Sequence, residues 1–318
     1  PNEAAQGNNR SMLHTVSNSL GHVTTYADYN VHGQAETITA ANGLVTTRTY
    51  TSKGLLSSST TAGLTTSYVY NTAGELQSIT QPGGRTITYG YDSGGRVNRI
   101  TDNEGNYITY SYDSEGRKTG EEIHDPAGSL VRFAGFEYND NGYLSKETLP
   151  GNAERTYAYD AVGNLVQSIN ATGLQSDMAY DLFSRLESLT EDSSVTNYFY
   201  DAEGNITSVI DARGNATSFS YDDFGRRTSR VSPETGTTLY SYDAAGNLES
   251  ITDALNHIVG FSYDALDRPI TQTYGSTTIN FSYDQDTNST GQISSVTDEY
   301  GSRSFLYNTL GQLTNETR

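Results

Sequence analysis

The fold follows from one heptapeptide, Tyr91-Asp92-Ser93-Gly94-Gly95-Arg96-Val97, because close copies of it recur along almost the whole chain. Another clear copy is Tyr159-Asp160-Ala161-Val162-Gly163-Asn164-Leu165. The Asp side chain can accept backbone N–H bonds two residues on, which starts a type I turn. The Gly then supplies the positive φ of a three-residue hairpin loop with a bulge. The heptapeptide therefore predicts a turn that joins two β-strands.

The heptapeptide occurs fourteen times, and Asp or Asn follows the Tyr in every copy but one. Eleven of the thirteen spacings between successive copies are 20 or 21 residues, and Gly stands four residues after the Tyr in eleven copies. Ser184 and Asp267 replace that Gly. A fixed period of this length is typical of repeat proteins. The Tyr positions are Tyr29, Tyr50, Tyr70, Tyr91, Tyr112, Tyr138, Tyr159, Tyr180, Tyr200, Tyr221, Tyr242, Tyr263, Tyr283 and Tyr307.

We interpret the Tyr, Asp and Gly of the clearest copies as structural positions of the repeat. We predict no catalytic, cofactor-binding or metal-binding residue. The structural positions are Tyr91, Asp92, Gly95, Tyr112, Asp113, Gly116, Tyr159, Asp160, Gly163, Tyr200, Asp201, Gly204, Tyr221, Asp222, Gly225, Tyr242, Asp243 and Gly246.

The pattern between the turns predicts an all-β fold of tandem hairpins. A second turn signal follows about ten residues after the first, as in Asp102-Asn103-Glu104-Gly105. The residue two before the Tyr is aromatic in eleven of the fourteen copies, and this spacing puts both rings on one face of a strand. Aliphatic side chains of the outgoing strand, such as Val97 and Ile100, should fill the gap between rings of successive hairpins. Because long sheets twist, we expect a curled, single-layer spiral sheet. Residues 1–19 are a lead-in or degenerate repeat, and residues 20–318 are the hairpin array.

The composition excludes several functional classes. A net charge of −19 argues against nucleic acid and anionic membranes as partners, because phosphate binding needs clustered Lys and Arg. No apolar run is long enough for a transmembrane helix, so no membrane insertion is expected. The absence of Cys rules out disulfides and Cys nucleophiles, and it suits an extracellular bacterial protein. The 25 Tyr and 9 Phe are too many for a disordered acidic chain.

Other candidate sites are weaker. No His-Glu-x-x-His, Gly-x-Ser-x-Gly or phosphate-binding loop occurs, so the chain is not expected to be an enzyme. The turn carboxylates could bind Ca²⁺, although simple hairpin turns are favoured. We interpret Asp125-Pro126-Ala127-Gly128 as a plain turn. The Tyr rows could stack on sugars, but burial against neighbouring rings is favoured. Five Arg residues that follow a turn could cover the neighbouring Tyr ring or pair with Asp; they are Arg96, Arg117, Arg185, Arg226 and Arg268.

Over about residues 20–318, the heptapeptide and its period resemble the YD repeat of the Rhs (rearrangement hotspot) family. That family includes bacterial polymorphic toxins, cocoon components of ABC-type toxin complexes, wall-associated proteins and teneurins. The resemblance implies a spiral of β-hairpins that forms a hollow shell, of which this chain is an open part. In the toxin members the shell encloses a C-terminal toxin. The family's self-cleaving Asp-Pro-x-Gly-Leu motif and a non-repeat toxin domain are missing from this sequence.

We therefore expect a non-catalytic shell segment of a large secreted or cell-surface bacterial protein, without a cofactor. Its expected partners are a C-terminal toxin or effector in cis, absent from this chain, and the neighbouring YD repeats. The alternative is an extracellular adhesive or carbohydrate-binding scaffold with a glycan partner. A pure spacer is a third and weaker hypothesis.

Overall fold

The computed structural model describes residues 12–318, and in this range 29 strands belong to one antiparallel sheet. The predicted all-β fold of tandem hairpins is confirmed. Residues 1–11 of the predicted lead-in lie outside the described residues, and Thr15–Ser17 within the lead-in form a strand. The strands are β1 (Thr15–Ser17), β2 (Val23–Tyr29), β3 (Ala35–Thr39), β4 (Val45–Tyr50), β5 (Leu56–Thr61), β6 (Leu64–Tyr70), β7 (Leu76–Thr80), β8 (Thr86–Tyr91), β9 (Val97–Thr101), β10 (Tyr107–Tyr112), β11 (Lys118–His124), β12 (Leu130–Tyr138), β13 (Leu144–Leu149), β14 (Ala153–Tyr159), β15 (Leu165–Ile169), β16 (Gln175–Tyr180), β17 (Leu186–Glu191), β18 (Ser194–Tyr200), β19 (Ile206–Ile210), β20 (Ala216–Tyr221), β21 (Arg227–Ser232), β22 (Gly236–Tyr242), β23 (Leu248–Thr252), β24 (Ile258–Tyr263), β25 (Pro269–Tyr274), β26 (Thr277–Tyr283), β27 (Ile293–Asp298), β28 (Gly301–Tyr307) and β29 (Leu313–Thr317).

The turn after each repeat Tyr, which we call the YD turn, has a recurring geometry. In the copy at Asp92, the Gly95 N–H donates to the Asp92 carbonyl at 3.1 Å, and the Asp92 N–H donates to the Arg96 carbonyl at 2.9 Å. Gly95 has a φ of 77°, and the pairing register shifts beside Tyr91. This is a type I turn followed by a bulge whose residue is left-handed. Where Gly is replaced, Ser184 still adopts a φ of 61°.

The turn at the opposite end of each hairpin, which we call the second turn, varies more. At Asp102 it has the same pair of backbone bonds as a YD turn. Between β17 and β18 it shortens to two residues, and both Asp192 (φ 45°) and Ser193 (φ 66°) are left-handed. Two short 3₁₀ helices, Pro150–Asn152 and Thr287–Ser289, interrupt the described hairpins. The second of these accommodates the longer spacing that follows Tyr283.

The aromatic side chains lie in a ladder on one face of the sheet. Tyr89 faces Ile100 across the β8–β9 pair, and Tyr91 faces Val97. The predicted alternation of rings and aliphatic side chains is thus present in this hairpin. Side chains between the rings point to the other face, and Val69 and Phe199 there are 50% and 48% exposed.

A single layer leaves almost no fully buried core. Within residues 12–318, Ala134 is the only apolar residue classed as buried, at 8% exposure. The rings and aliphatic side chains are instead half-buried against their neighbours on the same face. Stability must therefore come from contacts between adjacent strands, because no second layer covers the sheet in the described part.

The described chain forms two compact units. One contains residues 12–86 and 241–318, and the other contains residues 87–240. No helix in the part of the chain that the structure describes is long and apolar enough to cross a membrane.

Candidate functional site: a seam of tyrosine, aspartate and arginine between hairpins

The repeat Tyr is held by its hydroxyl as well as by its ring. The Tyr112 hydroxyl donates to the Val97 carbonyl at 2.7 Å. Val97 begins the outgoing strand of the preceding hairpin, at a point where the β9–β10 pairing has already ended. The hydroxyl therefore connects two strands beyond the end of their hydrogen-bonded ladder. Through this bond the hairpin of Tyr112 is held to the hairpin before it.

This hydroxyl bond recurs along the chain. Tyr200 donates to the Leu186 carbonyl at 2.8 Å, and Tyr221 donates to the Ile206 carbonyl at 2.9 Å. Tyr29 makes the corresponding bond to the carbonyl of Leu13. Distances of 2.7–3.2 Å are found for the equivalent bonds of Tyr50, Tyr70, Tyr138, Tyr180, Tyr263, Tyr283 and Tyr307.

The Asp of the YD turn organises the turn and holds the following Arg. One carboxylate oxygen of Asp92 accepts from the backbone N–H groups of Gly94 (2.8 Å) and Arg96 (3.0 Å), and the other accepts from Arg96 Nε (2.7 Å). The Arg96 guanidinium lies 4.8 Å from the centre of the Tyr112 ring, and its Nη1 donates to the Asp113 carbonyl at 3.2 Å. The Arg thus links its own turn to the next hairpin.

Pairing with Asp and stacking on Tyr therefore occur together. The same Arg-over-Tyr contact joins Arg117 to Tyr138 (4.9 Å), Arg185 to Tyr200 (4.6 Å) and Arg268 to Tyr283 (4.2 Å).

Asn replaces this Arg in several YD turns, where its amide bonds to the Asp of its own turn. Asn164 Nδ2 donates to Asp160 at 2.8 Å, and Asn205 Nδ2 donates to Asp201 at 2.9 Å. Asn247 also reaches the next YD turn, where it donates to the Asp267 carboxylate at 2.7 Å. We call the contacts of the repeat Tyr, the turn Asp and the following Arg or Asn between successive hairpins the seam. A cation reinforces the seam in some hairpins, and an amide does so in others.

The turn carboxylates are ionised and occupied by donors of the same turn. The backbone N–H of Arg96, together with its guanidinium, holds the pKa of Asp92 below the usual value of 3.8 despite partial burial. The Asn205 amide does the same for the pKa of Asp201. Burial of the Tyr200 phenol raises its pKa above 10.0, so it remains a hydrogen-bond donor at neutral pH. No group of three or more His, Asp or Glu side chains with a metal-binding arrangement occurs in residues 12–318.

The remaining predicted positions fit into the same seam with local differences. Tyr91 ends β8, and Asp243 accepts from the Asn247 backbone N–H at 2.8 Å. The Tyr159 ring stacks on Tyr143 at 5.0 Å. Tyr143 also covers Gly163, where a Cβ atom would lie only 2.8 Å from Tyr143 Cζ.

Two parts of the seam were not predicted from the sequence. The first is the hydroxyl bond, although a signal exists: the repeat position is always Tyr, whereas Phe is accepted two residues before it. The second is a cation in place of the aliphatic side chain between two rings. Lys118 Nζ lies 5.6 Å from the Tyr110 ring and 4.6 Å from the Phe136 ring.

Comparison with known proteins identifies the repeat. The family model described as RHS Repeat matches residues 70–107, 138–175, 200–238, 228–258 and 242–279. The comparison with curated proteins found no match.

Several solved structures share the fold at low sequence identity. The crystal structure of TcdB2-TccC3-Cdc42 has a TM-score of 0.71 and 14% identity over 92% of this chain. That of TcdB2-TccC3 has a TM-score of 0.69 and 14% identity over 92% of this chain. The Photorhabdus luminescens Tc holotoxin pore has a TM-score of 0.51 and 14% identity over 90% of this chain. This chain spans only 19%, 20% and 22% of those chains, respectively. The chain therefore carries RHS repeats (YD repeats) at intervals along its length, and it shares its hairpin sheet with these structures.

Proposed function

We propose that this chain is a non-catalytic wall segment of a large secreted or cell-surface bacterial protein, and that the wall encloses a C-terminal toxin or effector. The mechanism is steric. A hydrogen-bonded wall excludes proteases and other proteins from the enclosed segment until the segment is released.

The observation that carries this proposal is the repeated bond from the Tyr hydroxyl to the preceding hairpin. Ladder pairing between successive hairpins covers only a few residues, as between Tyr107–Thr109 and Arg99–Thr101. Without a further bond, neighbouring hairpins would separate near the YD turns. The bond of Tyr112 to Val97 closes that gap, and the same bond recurs along the array. A sheet closed in this way is suited to act as a barrier.

The shared fold supports the same function. One of the similar structures, the Photorhabdus luminescens Tc holotoxin pore, is a toxin by its title. The side chains of the seam bond to one another and to the backbone, which suits a wall better than a reaction centre.

Limited proteolysis of the natural polypeptide that contains this chain tests the proposal. The segment that follows the repeats should survive in the intact protein and be digested when it is produced alone. A substitution within the seam, such as Tyr200→Phe together with Tyr221→Phe, should increase its cleavage several-fold. Cleavage at the same rate with and without the repeats would refute encapsulation.

A carbohydrate-binding scaffold is the second candidate, favoured by the aromatic ladder on an uncovered face. The repeat Tyr hydroxyls are poor candidates for sugar contacts, because backbone carbonyls already accept from them. The rings two residues earlier, such as Tyr89 and Tyr198, would have to bind the sugar. A glycan array followed by tyrosine fluorescence titration tests this function, and saturable binding that Tyr198→Ala abolishes would support it.

A further inference from the structure

One strand of residues 87–240 carries two cations on the face of the aromatic ladder. In β21, Arg227 pairs with Tyr221 of the neighbouring strand. Arg230 of the same strand pairs with Phe219. Directly paired residues point to the same face, so both guanidinium side chains lie among the ladder rings. We call Arg227 and Arg230 the β21 cation pair, and it stands in a chain whose net charge is −19.

The hairpin of β10 and β11 has the same arrangement with one difference. Lys118 takes the place of Arg227, and its Nζ lies over two ladder rings. Glu121 takes the place of Arg230 and pairs with Tyr110. Lys118 Nζ lies 2.9 Å from the Glu121 carboxylate. The cation of that hairpin is therefore neutralised on the face where it lies.

The next hairpin shows the same compensation. Glu147 stands at the repeat position of Glu121, opposite the ring of Phe136. Arg155 of the adjoining strand faces Glu147, and its Nη1 lies 3.1 Å from that carboxylate. Where residues 87–240 place Lys118 or Arg155 on the ladder face, this position of the repeat thus supplies a carboxylate.

In β21 the same position carries a second cation. Arg230 Nη1 donates to the hydroxyl of Thr235, a neutral partner, at 3.1 Å. On its other side, Arg230 pairs with Thr238. The nearest carboxylate along the chain, Glu234, stands exposed in the turn that follows β21. Two like charges on one face of a strand repel each other, and a bound anion would relieve that repulsion.

The rings beside the β21 cation pair separate the two guanidinium groups. Arg227 lies 4.5 Å from the Tyr240 ring and 5.9 Å from the Phe219 ring, whereas Arg230 reaches towards the second turn at Thr235. Residues three apart on a strand are about 10 Å from each other. A ligand that bonds to both guanidinium groups must therefore present two anionic groups, with an apolar or extended linker over the rings.

We propose that the β21 cation pair binds a short ligand with two carboxylates, one for each guanidinium. A guanidinium bonds a carboxylate through two parallel N–H groups, which favours this anion. A long polyanion would also meet the acidic YD turn of Asp222 and Asp223 at the end of β20, so a short ligand fits better. A free organic diacid and a peptide with two acidic side chains share this chemistry. The site is additional to the proposed wall function and does not depend on it.

Isothermal titration of the 318-residue chain at constant ionic strength tests the proposal. The probes are suberate, a straight-chain dicarboxylate, and a blocked tripeptide with glutamate at its first and third positions. At least one of them should bind saturably, and octanoate, with a single carboxylate, should bind about tenfold more weakly than suberate or worse. Tighter binding of suberate identifies a free organic acid as the ligand, and tighter binding of the tripeptide identifies an acidic polypeptide segment.

Three variants locate the binding. Arg230→Glu recreates the pairing of Lys118 with Glu121, so it should raise the melting temperature without ligand and abolish binding. Arg230→Gln should weaken binding about tenfold or more through the loss of one charge-assisted contact. Arg155→Gln changes the net charge equally at another hairpin of the same face and should leave the affinity unchanged.

Four results would overturn the proposal. They are no binding of either probe, octanoate binding as tight as that of suberate, unchanged affinity in Arg230→Glu, and an equal loss of affinity in Arg155→Gln and Arg230→Gln. The last result would show that general charge attracts the ligand. Each of these results would leave the wall function standing, because none of them measures protection of an enclosed segment.

Discussion

At the scale of single residues, the phenol hydroxyl of the repeat Tyr has a role that its ring cannot replace. The ring contributes apolar contact on the face of the sheet, as Phe does two residues earlier. The hydroxyl makes a directed bond to the preceding hairpin, 2.8 Å long in the case of Tyr200 and Leu186. A single layer in which residues 12–318 bury almost no apolar side chain completely has few other means of fixing one hairpin against the next.

Tyr200→Phe is therefore expected to lower the free energy of unfolding by about 1 kcal/mol, the usual net contribution of such a hydrogen bond. Chemical denaturation monitored by circular dichroism measures the change. Tyr198→Phe, two residues away on the same face, is the control and should cost less than half as much. Equal losses for the two variants would contradict the role assigned to the Tyr200 hydroxyl.

Glycine is required at Gly163 for two separate reasons. Its φ of 96° disfavours any side chain, and Tyr143 occupies the space where a Cβ would lie. Gly204 has nearly the same φ of 94° with open space around it. Gly163→Ala should cost more than Gly204→Ala, which should cost about 1 kcal/mol through backbone strain alone. Thermal unfolding of both variants measures the difference in stability. A smaller loss of stability for Gly163→Ala than for Gly204→Ala would show that the Tyr143 side chain moves aside without a free-energy cost.

At the scale of the element, the YD turn tolerates imperfect residues because the strands on either side hold its geometry. Ser184 adopts a φ of 61° although its side chain disfavours that conformation. The pairing of Met178 with Leu189 and of Tyr180 with Leu186 imposes the hairpin on it. The backbone preference of Ser and the pairing of the two strands favour different conformations at this position, and the strand pairing determines the one that is adopted.

Ser184→Gly should accordingly stabilise the protein by about 1 kcal/mol, because the left-handed conformation costs an L-residue about that amount. Ser93→Gly is the matched control. Ser93 is an exposed residue of another YD turn and is not left-handed, so added flexibility should destabilise there. Melting temperatures that move in the same direction for both variants would contradict this account.

At the scale of the whole molecule, the turn carboxylates couple stability to pH. In the folded protein, hydrogen bonds keep the pKa of Asp92, Asp102, Asp201, Asp211 and Asp243 below 3.8. The unfolded chain therefore binds more protons than the folded chain as the pH falls through this range. The contribution of these groups is fully present above about pH 5, and it is lost as the pH falls below 3.8 towards their folded values.

We expect the free energy of unfolding to fall between pH 5 and pH 3 at constant ionic strength, measured by denaturant titration at each pH. Asp92→Asn should flatten this dependence slightly, because an amide does not titrate. The fold should tolerate this substitution, because Asn occupies the same position naturally at Asn71 and Asn139. General repulsion among the 38 acidic residues acts in the opposite direction, because protonation relieves it. A protein that becomes more stable at pH 3 would show that repulsion outweighs the turn bonds.

The local order of this protein follows directly from its repeat. The Tyr-Asp-x-x-Gly spacing specifies a turn, and residues two apart share a strand face, so hairpins and a one-sided ladder of rings can be predicted from short-range rules alone. The Arg contacts were predicted as alternatives, and both occur because Asp92 and Tyr112 lie within reach of one Arg96 side chain.

Contacts between residues distant in the chain depended on the assembled sheet. The hydroxyl bond of Tyr112 connects two strands beyond the end of their ladder, and the end of that ladder depends on how the two strands pair rather than on either segment alone. The contact of Ser19 with Ala265 requires the path of all the intervening hairpins. Local steric preferences and the repeat period determine where the hairpins form. The twist that accumulates over many strands determines which distant turns come into contact.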